Sequence, residues 1–422
     1  MRAVDEVESL TPPGPADEPA VAPPAPSARH RARRIELAGY LSFLLLAVFV
    51  LIQLWIDPTG RVLSANDDDH GIFGWLLGHG ERVIFHGDHL FYSDRINVPD
   101  GANMMANTSV LALSLPMAPV THFFGVGVTI ALLLTLGLAG TAAAWYHVLS
   151  RHLIRSRAAA YVGALWCGFA PAMVSHANGH VNFVNQFVVP FIVWQVLRLR
   201  EPGRVWRGGL TLAALVVLQV FINEEVLLFL ALTLTVFVLA YAAMARRAAV
   251  AVARRFVAGM AVATGAATAV LAYPLWFQFF GPGNYHGQPF EPDKYVTDLL
   301  SLPAFARQSL AGNGVVARAL SVSPTEDNTF FGLPVLVLLG VSMVILWRSA
   351  AAKAAAVAAL VLLVMSMGPR LRVAGHDTDI ALPFGLISDL PVIDLVSVTR
   401  FAMVTSTVVG VLLALAADRM TA

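Results

Sequence analysis

The chain has 422 residues, of which 57% are hydrophobic and only 13% charged, against roughly 25% charged in an average soluble domain. Mean hydropathy is +0.69 and formal net charge is +1. These figures exclude a soluble enzyme, a disordered tail protein and, with Cys167 as the only cysteine, a disulfide scaffold. They leave a polytopic membrane protein, expected to be all-α with about ten transmembrane helices and a long first extracytoplasmic loop.

Residues 1–34 are rich in Pro, Ala and acids and end in the basic run Arg29-His30-Arg31-Ala32-Arg33-Arg34. They read as a disordered cytoplasmic tail, ahead of one transmembrane domain over 35–422. The apolar run that follows is too long for a cleaved signal peptide. A spanning helix needs about 20 mostly apolar residues. The first such run is 36–56, and the basic cluster before it puts the N-terminus in the cytoplasm. Later runs fall at 125–149, 157–175, 183–199, 207–222, 226–244, 256–276, 331–347, 353–368 and 401–417. The count is ten, with both termini inside. The segment 109–124 is apolar but short and holds Pro116 and Pro119. Counted as a span, it would place Arg151, Arg155 and Arg157 outside. Counted as an interfacial helix, it keeps them inside, as the positive-inside rule asks.

With ten spans, the cytoplasmic side carries 19 basic and 8 acidic residues, a net +11, and the outer side 9 and 19, a net −10. The two add to the overall +1. Nine of the twelve histidines also fall outside. Chemistry is therefore expected on the outer face of the plasma membrane. The long outer segments are 57–124, 277–330 and 369–400. Short inner links and the lack of a P-loop pattern exclude an ATP-driven pump and leave no soluble nucleotide site. No nucleic-acid partner is expected.

The outer segments supply the candidate residues. Asp67-Asp68-Asp69 crowds three carboxylates, so one pKa should rise unless a cation or donor sits nearby. Such a cluster beside an amphipathic helix suits a general base or a metal site, or is a solvated acidic loop. Asp88 and His89 could bind a metal, Asp94 could touch substrate, and 97–103 reads as turns. His176 and His180 stand at i, i+4 and would share a helix face, although Gly179 interrupts it. They read as contacts to a phosphate or sugar hydroxyl, or as interfacial caps. Asn223-Glu224-Glu225 breaks an apolar run, and acids at a helix centre cost about 2.5–3.5 kcal/mol each on insertion scales. At an outer turn they cost less and face the same side as the aspartates. Arg400 opens the last span and could hold a phosphate bidentately, or snorkel. Arg370 and Arg372 are weaker candidates on that side.

Several stretches together resemble the integral-membrane glycosyltransferases of the GT-C class, and most of all an actinobacterial branch that uses polyprenyl-phosphate sugars. They are Asp69-His70-Gly71-Ile72-Phe73-Gly74-Trp75 (D-x-x-x-F-x-W), Asn97 to Ser109, Pro119-Val120-Thr121, Gly179-His180 and Asn223-Glu224-Glu225, over about 36–417. The resemblance implies a polyprenyl-phosphate-linked sugar donor, used at the outer face on a lipid or cell-envelope glycan acceptor. Asp69 holds the class's aspartate position, as base or metal ligand, with Asp68 beside it. A divalent cation (Mg or Mn) would sit on Asp67 and Asp69, and His176, His180, Glu224, Glu225, Arg400 and Asp94 would bind substrate. Asp67 and Asp68 stand where some relatives have Gly or other residues. His70 stands where relatives tend to have proline. The chain ends soon after its last span, which favours a small or lipid acceptor over a peptide. The competing expectations are a flippase or transporter for lipid-linked sugar, and a non-catalytic membrane protein.

Overall fold

The computed structural model describes residues 26–106, 108–284, 291 and 293–421. The chain divides into two units, 1–41 and 42–422. The described part of the first is the beginning of helix α1 (Pro26–Val50). Helix therefore starts within the stretch expected to be a disordered tail, and residues 1–25 of that tail lie outside the described residues. The second unit runs on through α2 (Ile52–Ile56) and α3 (Asp67–His86) to a hairpin of β1 (Tyr92–Ser93) and β2 (Ala102–Asn103). Asn97 and Gly101 in its turn are both left-handed, so the turns expected over 97–103 hold for 97–101, while Ala102 and Asn103 form the strand.

Next come α4 (Leu111–Phe124), α5 (Val126–Val148), α6 (Arg157–Phe169), α7 (Pro171–His176), α8 (Val181–Val184), α9 (Val189–Arg198) and α10 (Val205–Val220). Then follow α11 (Glu224–Met244), α12 (Arg246–Phe280), α13 (Gly314–Leu320), α14 (Leu333–Ile345) and α15 (Ala350–Ser366). A second hairpin, β3 (Arg370–Val373) with β4 (His376–Ala381), precedes the last helix, α16 (Phe401–Thr421). The two hairpins depart from the all-α expectation. Both lie in loops, where left-handed Asn97, Gly101, Ala374 and Gly375 make turns rather than helix.

Every segment expected to span is helical at its centre. Five helical stretches are long and apolar enough to cross a membrane: Val126–Leu153, Arg157–His176, Glu224–Met244, Arg246–Phe280 and Val398–Thr421. The segments expected at 183–199, 207–222, 331–347 and 353–368 form shorter apolar helices. The segment 109–124 is one too, packed along α3 and against α5.

Caps fix where the helices begin. Ser156 accepts the N–H of Ala159, Asn223 that of Val226 and Ser349 that of Ala352. The Asp418 carboxylate, near the end of α16, accepts the N–H groups of Arg155 and Ser156 at 2.9 and 2.6 Å. That ties the last helix to the start of α6. Where two apolar helices meet in a membrane, small residues let backbones close in. A Cβ added at Gly163 of α6 would lie 2.7 Å from the Gly410 carbonyl oxygen and 2.6 Å from the Ala414 Cβ, so α6 and α16 touch backbone to backbone. The apolar stretch of α5 is 61% buried and those of α11 and α12 only 22%. The centre is thus α5, α6 and α16, and α11 and α12 present a broad apolar outer face.

The helix directions sort the polar residues. The links α5–α6, α9–α10 and α14–α15 carry arginines, and α12 begins with Arg246 and Arg247 just after the one-residue link from α11. The opposite ends carry His176, Glu224, Glu225 and Arg400.

Candidate functional site

Asp69 lies in the first turn of α3. Asn66 precedes the helix, but its side chain does not cap it. Asn66 instead donates from Nδ2 to Asp69 Oδ2 at 2.5 Å. From the other side His180 Nε2 meets the same oxygen at 2.6 Å. The contact depends on the turn between α7 and α8. Gly179 there has φ +131°, and a Cβ on it would press on Asn66, 3.2 Å from its carbonyl oxygen. That turn ends the shared helix face expected for His176 and His180, yet it brings the rings together, with their Nδ1 atoms 2.6 Å apart.

The proton positions follow from the far end of the chain of bonds. Glu326 Oε1 receives the Arg400 guanidinium, at 2.9 Å from Nε and 2.8 Å from Nη2. Glu326 Oε2 accepts from Asn328 Nδ2 at 3.0 Å. An ionised carboxylate only accepts, so the amide NH₂ must face Glu326 and the amide oxygen must face away. That oxygen lies 3.1 Å from His176 Nε2, which therefore carries a proton. One proton then lies between the two Nδ1 atoms, and one between His180 Nε2 and Asp69. The Asp69 carboxyl is 31% exposed. Burial raises its pKa. The His180 hydrogen bond and charge, the Asn66 hydrogen bond and the Arg400 charge outweigh that, and the net direction is down. Asp69 is accordingly a carboxylate, held by hydrogen bonds from Asn66 and from the His180 ring. The expected raised pKa does not occur at Asp69 because a cation and a donor are both present.

Asp69 stands on the wall of a cavity of about 700 Å³. The wall mixes apolar Ile72, Phe73, Leu228 and Phe279 with Glu224, Glu225, Glu326 and Arg400. Arg400 Nη1 donates to Glu225 Oε2 at 3.1 Å, and the guanidinium lies 4.6 Å from the centre of the Phe183 ring. Glu224 accepts from Gln278 Nε2 at 2.9 Å.

The expected site residues thus divide. Asp68, Asp69, His180, Glu224, Glu225 and Arg400 line one cavity. His176 is fully buried behind His180 and is not on the wall. Its ring supports His180 and does not meet a ligand. Asp67 is exposed and off the wall, because residues i and i+2 of a helix do not face each other. Asp94 is exposed in the β1–β2 turn, also off the wall. Asp88 is held by Arg82 at 2.7 Å and Arg95 at 3.0 Å, and His89 stacks on Phe277, so that pair joins loop to helix. Arg372 pairs with Asp377 across the second hairpin.

Three residues of the site carry no obvious sequence signal. Gln278 is a single amide near the end of α12. Glu326 and Asn328 belong to Thr325-Glu326-Asp327-Asn328-Thr329, which looks like a solvated turn. All five are buried. The pointer was there in chemical terms: polar residues immediately before an apolar helix, on the same side as the other acids. His176, His180 and Glu326 lie close enough together to hold a metal ion. Each ring nitrogen, however, already has a partner in the chain of bonds.

The family model described as Domain of unknown function (DUF6311) matches residues 37–420, and the chain belongs to that family. No curated protein matches it.

Proposed function

We propose that this member of the DUF6311 family is a membrane glycosyltransferase of GT-C type. In this reading it moves a sugar from a polyprenyl-phosphate donor to a hydroxyl of a lipid or cell-envelope glycan acceptor. The observation that carries the reading is the Asp69 carboxylate on the wall of the 700 Å³ cavity, oriented by His180 at 2.6 Å. The mixed wall fits a donor that is half lipid and half sugar. Ten spans with both termini in the cytoplasm would put the arginine-bearing links inside and the cavity outside. That is the side on which lipid-phosphate donors replace nucleotide sugars.

The chemistry is base-assisted substitution at the anomeric carbon. The acceptor oxygen bonds to that carbon, the bond from carbon to the phosphate oxygen breaks, and the electron pair leaves with the phosphate. The acceptor proton passes to Asp69. His180 donates to Asp69, and His176 and Asn328 hold the His180 ring in register. Arg400 is shared by two carboxylates, so its part is to seat Glu225 and Glu326 on the wall rather than to bind the leaving phosphate alone.

The residues do not fit a divalent cation on Asp67 and Asp69. Those carboxylates stand on different sides of α3, and Asp69 Oδ2 is already engaged twice. No step above runs through a metal.

The test is transfer by the purified chain in lipid, from synthetic polyprenyl-phosphate sugars. Asp69→Asn should abolish transfer while the variant still unfolds in one cooperative thermal transition. Undiminished transfer by the variant would sink the reading. Mass spectrometry of polyprenyl-phosphate sugars in a deletion strain would name the donor as the one that accumulates.

A further inference from the structure

The cavity is lined by more carboxyl groups than cationic ones. Asp68, Asp69, Glu224, Glu225, Glu326 and Asp394 all line it. Against them stand Arg400 and the His180 ring. His180 matches Asp69, and Arg400 is divided between Glu225 and Glu326. Glu224 is different: its one hydrogen bond comes from a neutral amide, Gln278 Nε2, and among the described residues no cation pairs with it.

The unpartnered polar atoms point the same way. Gln278 and Asn182 are both more than nine-tenths buried, both line the cavity, and each has an amide oxygen with no partner. Glu224 Oε1 is a third acceptor without a partner. Asn223 Nδ2 is an unpartnered donor on the same wall, fixed because Asn223 Oδ1 caps Val226. The Gln278 orientation is fixed as well, because its NH₂ faces Glu224. Glu225 Oε1 and Asp394 Oδ1 are unpartnered on the same wall as well, so five amide and carboxyl oxygens face one amide donor, beside the Thr108 and Ser397 hydroxyls, which can act either way. Buried acceptors without partners are costly, and a ligand that brings N–H or O–H groups relieves that cost. A ligand that brings a carboxylate adds like charge and more acceptors.

We propose that Glu224, Gln278 and Asn182 form a subsite for an amino sugar, with its free ammonium on Glu224, and that the cavity rejects sugars carrying a carboxylate. The proposal rests on the transferase reading for its premise that a glycosyl group enters this cavity. It adds which class of glycosyl group that is.

The test is equilibrium binding to the full chain in nanodiscs and needs no turnover. The probes are three alkyl glycosides that share chain and ring: a glucosaminide, a glucoside and a glucuronide. Magnesium chloride alone is a fourth. The glucosaminide should bind about tenfold more tightly than the glucoside, a difference of about 1.4 kcal/mol, and the glucuronide more weakly than either. Glu224→Gln should bring the glucosaminide down to the glucoside's affinity in the same variant, with cooperative thermal unfolding showing that the variant is folded. Asp69→Asn should keep the order of the three. Overturning results are a glucuronide that binds as well as the glucosaminide, or no effect of Glu224→Gln. No saturable glucosaminide binding at all, or a Glu224-dependent response to magnesium alone, would overturn it too. If transfer is found without this order, the subsite fails and the transferase stands. If the order is found without transfer from any lipid-phosphate sugar, the transferase fails.

Discussion

Two aspartates at opposite ends of α3 have their carboxyls drawn down for different reasons. Asp88, just past the helix, is held by Arg82 first, against a smaller desolvation, and then by Arg95, and its pKa falls to about 2. Asp69, in the first turn, is held by one histidine and one amide against burial that pulls the other way. Asp88 is off the wall of the 700 Å³ cavity, and Asp69 is on it. Behind His180, moreover, lies a buried chain through His176, Asn328 and Glu326 that decides where the protons sit. A low pKa alone therefore does not mark a working acid. What separates the two is the fixed backing of one and the surface pairing of the other.

The largest effect should come from breaking Asp69. Loss of a positioned general base costs about 10²- to 10⁴-fold, so transfer by Asp69→Asn should fall by at least that much, whereas Asp88→Asn should leave it within twofold. Parallel transfer assays on the two variants decide whether α3 has one working end or two.

Arg400→Ala should come next. It leaves Glu225 and Glu326 buried without their shared cation, and breaking a buried ion pair costs about 3–5 kcal/mol. Denaturant unfolding in detergent should show a loss of that order. Replacing Glu225 and Glu326 by Gln in the Arg400→Ala background should restore most of it, since no buried charge is then left alone. A stable Arg400→Ala single variant would mean that the acids are not charged together.

Asn328→Leu should act on the backing alone. It removes the acceptor that keeps a proton on His176 Nε2, so the tautomer that orients His180 is no longer imposed. Orienting partners are typically worth about 10- to 100-fold in activity. Transfer should fall by that factor, with substrate affinity held. Nitrogen NMR of ring-labelled histidine should show His176 changing tautomer. An unchanged tautomer would separate the chain of bonds from the activity.

How much of this was legible beforehand depends on the kind of signal. Charge and hydropathy located the helices and the end of the bundle where the acids gather, because both are set by the solvent each residue meets. The D-x-x-x-F-x-W motif picked out Asp69 from among three aspartates. Helix periodicity then explains why Asp67 turns elsewhere. The partners of Asp69 were only half visible. His180 stood in a motif, but its distance in sequence from Asp69 hides a contact that a left-handed glycine makes. Glu326 and Asn328 were invisible as site residues, because a run of Thr, Glu, Asp and Asn reads as a turn until a fold buries it. The two hairpins were missed because each has strands of only two to six residues, too short for an alternating pattern to stand out.

The smallest effect concerns Asp88 again, through acid stability. Its carboxyl titrates near 2 in the folded chain against 3.8 ordinarily. A depressed folded value stabilises above the ordinary pKa and loses that contribution as pH falls through the folded one. The window is therefore about pH 4 down to 2, and stability at pH 7 holds the full contribution. The arginines that hold Asp88 are solvent-accessible, and surface pairs are screened. Asp88→Asn should thus barely move the melting temperature at pH 7 and should flatten its decline between pH 4 and 2, an effect that shrinks further in high salt. Asp69→Asn compared over the same window should keep more of its effect in high salt, because its partner His180 is buried whereas Arg82 and Arg95 are not. If both variants respond to salt alike, the two ends of α3 are equivalent, and the distinction between a backed acid and a surface pair fails at its root.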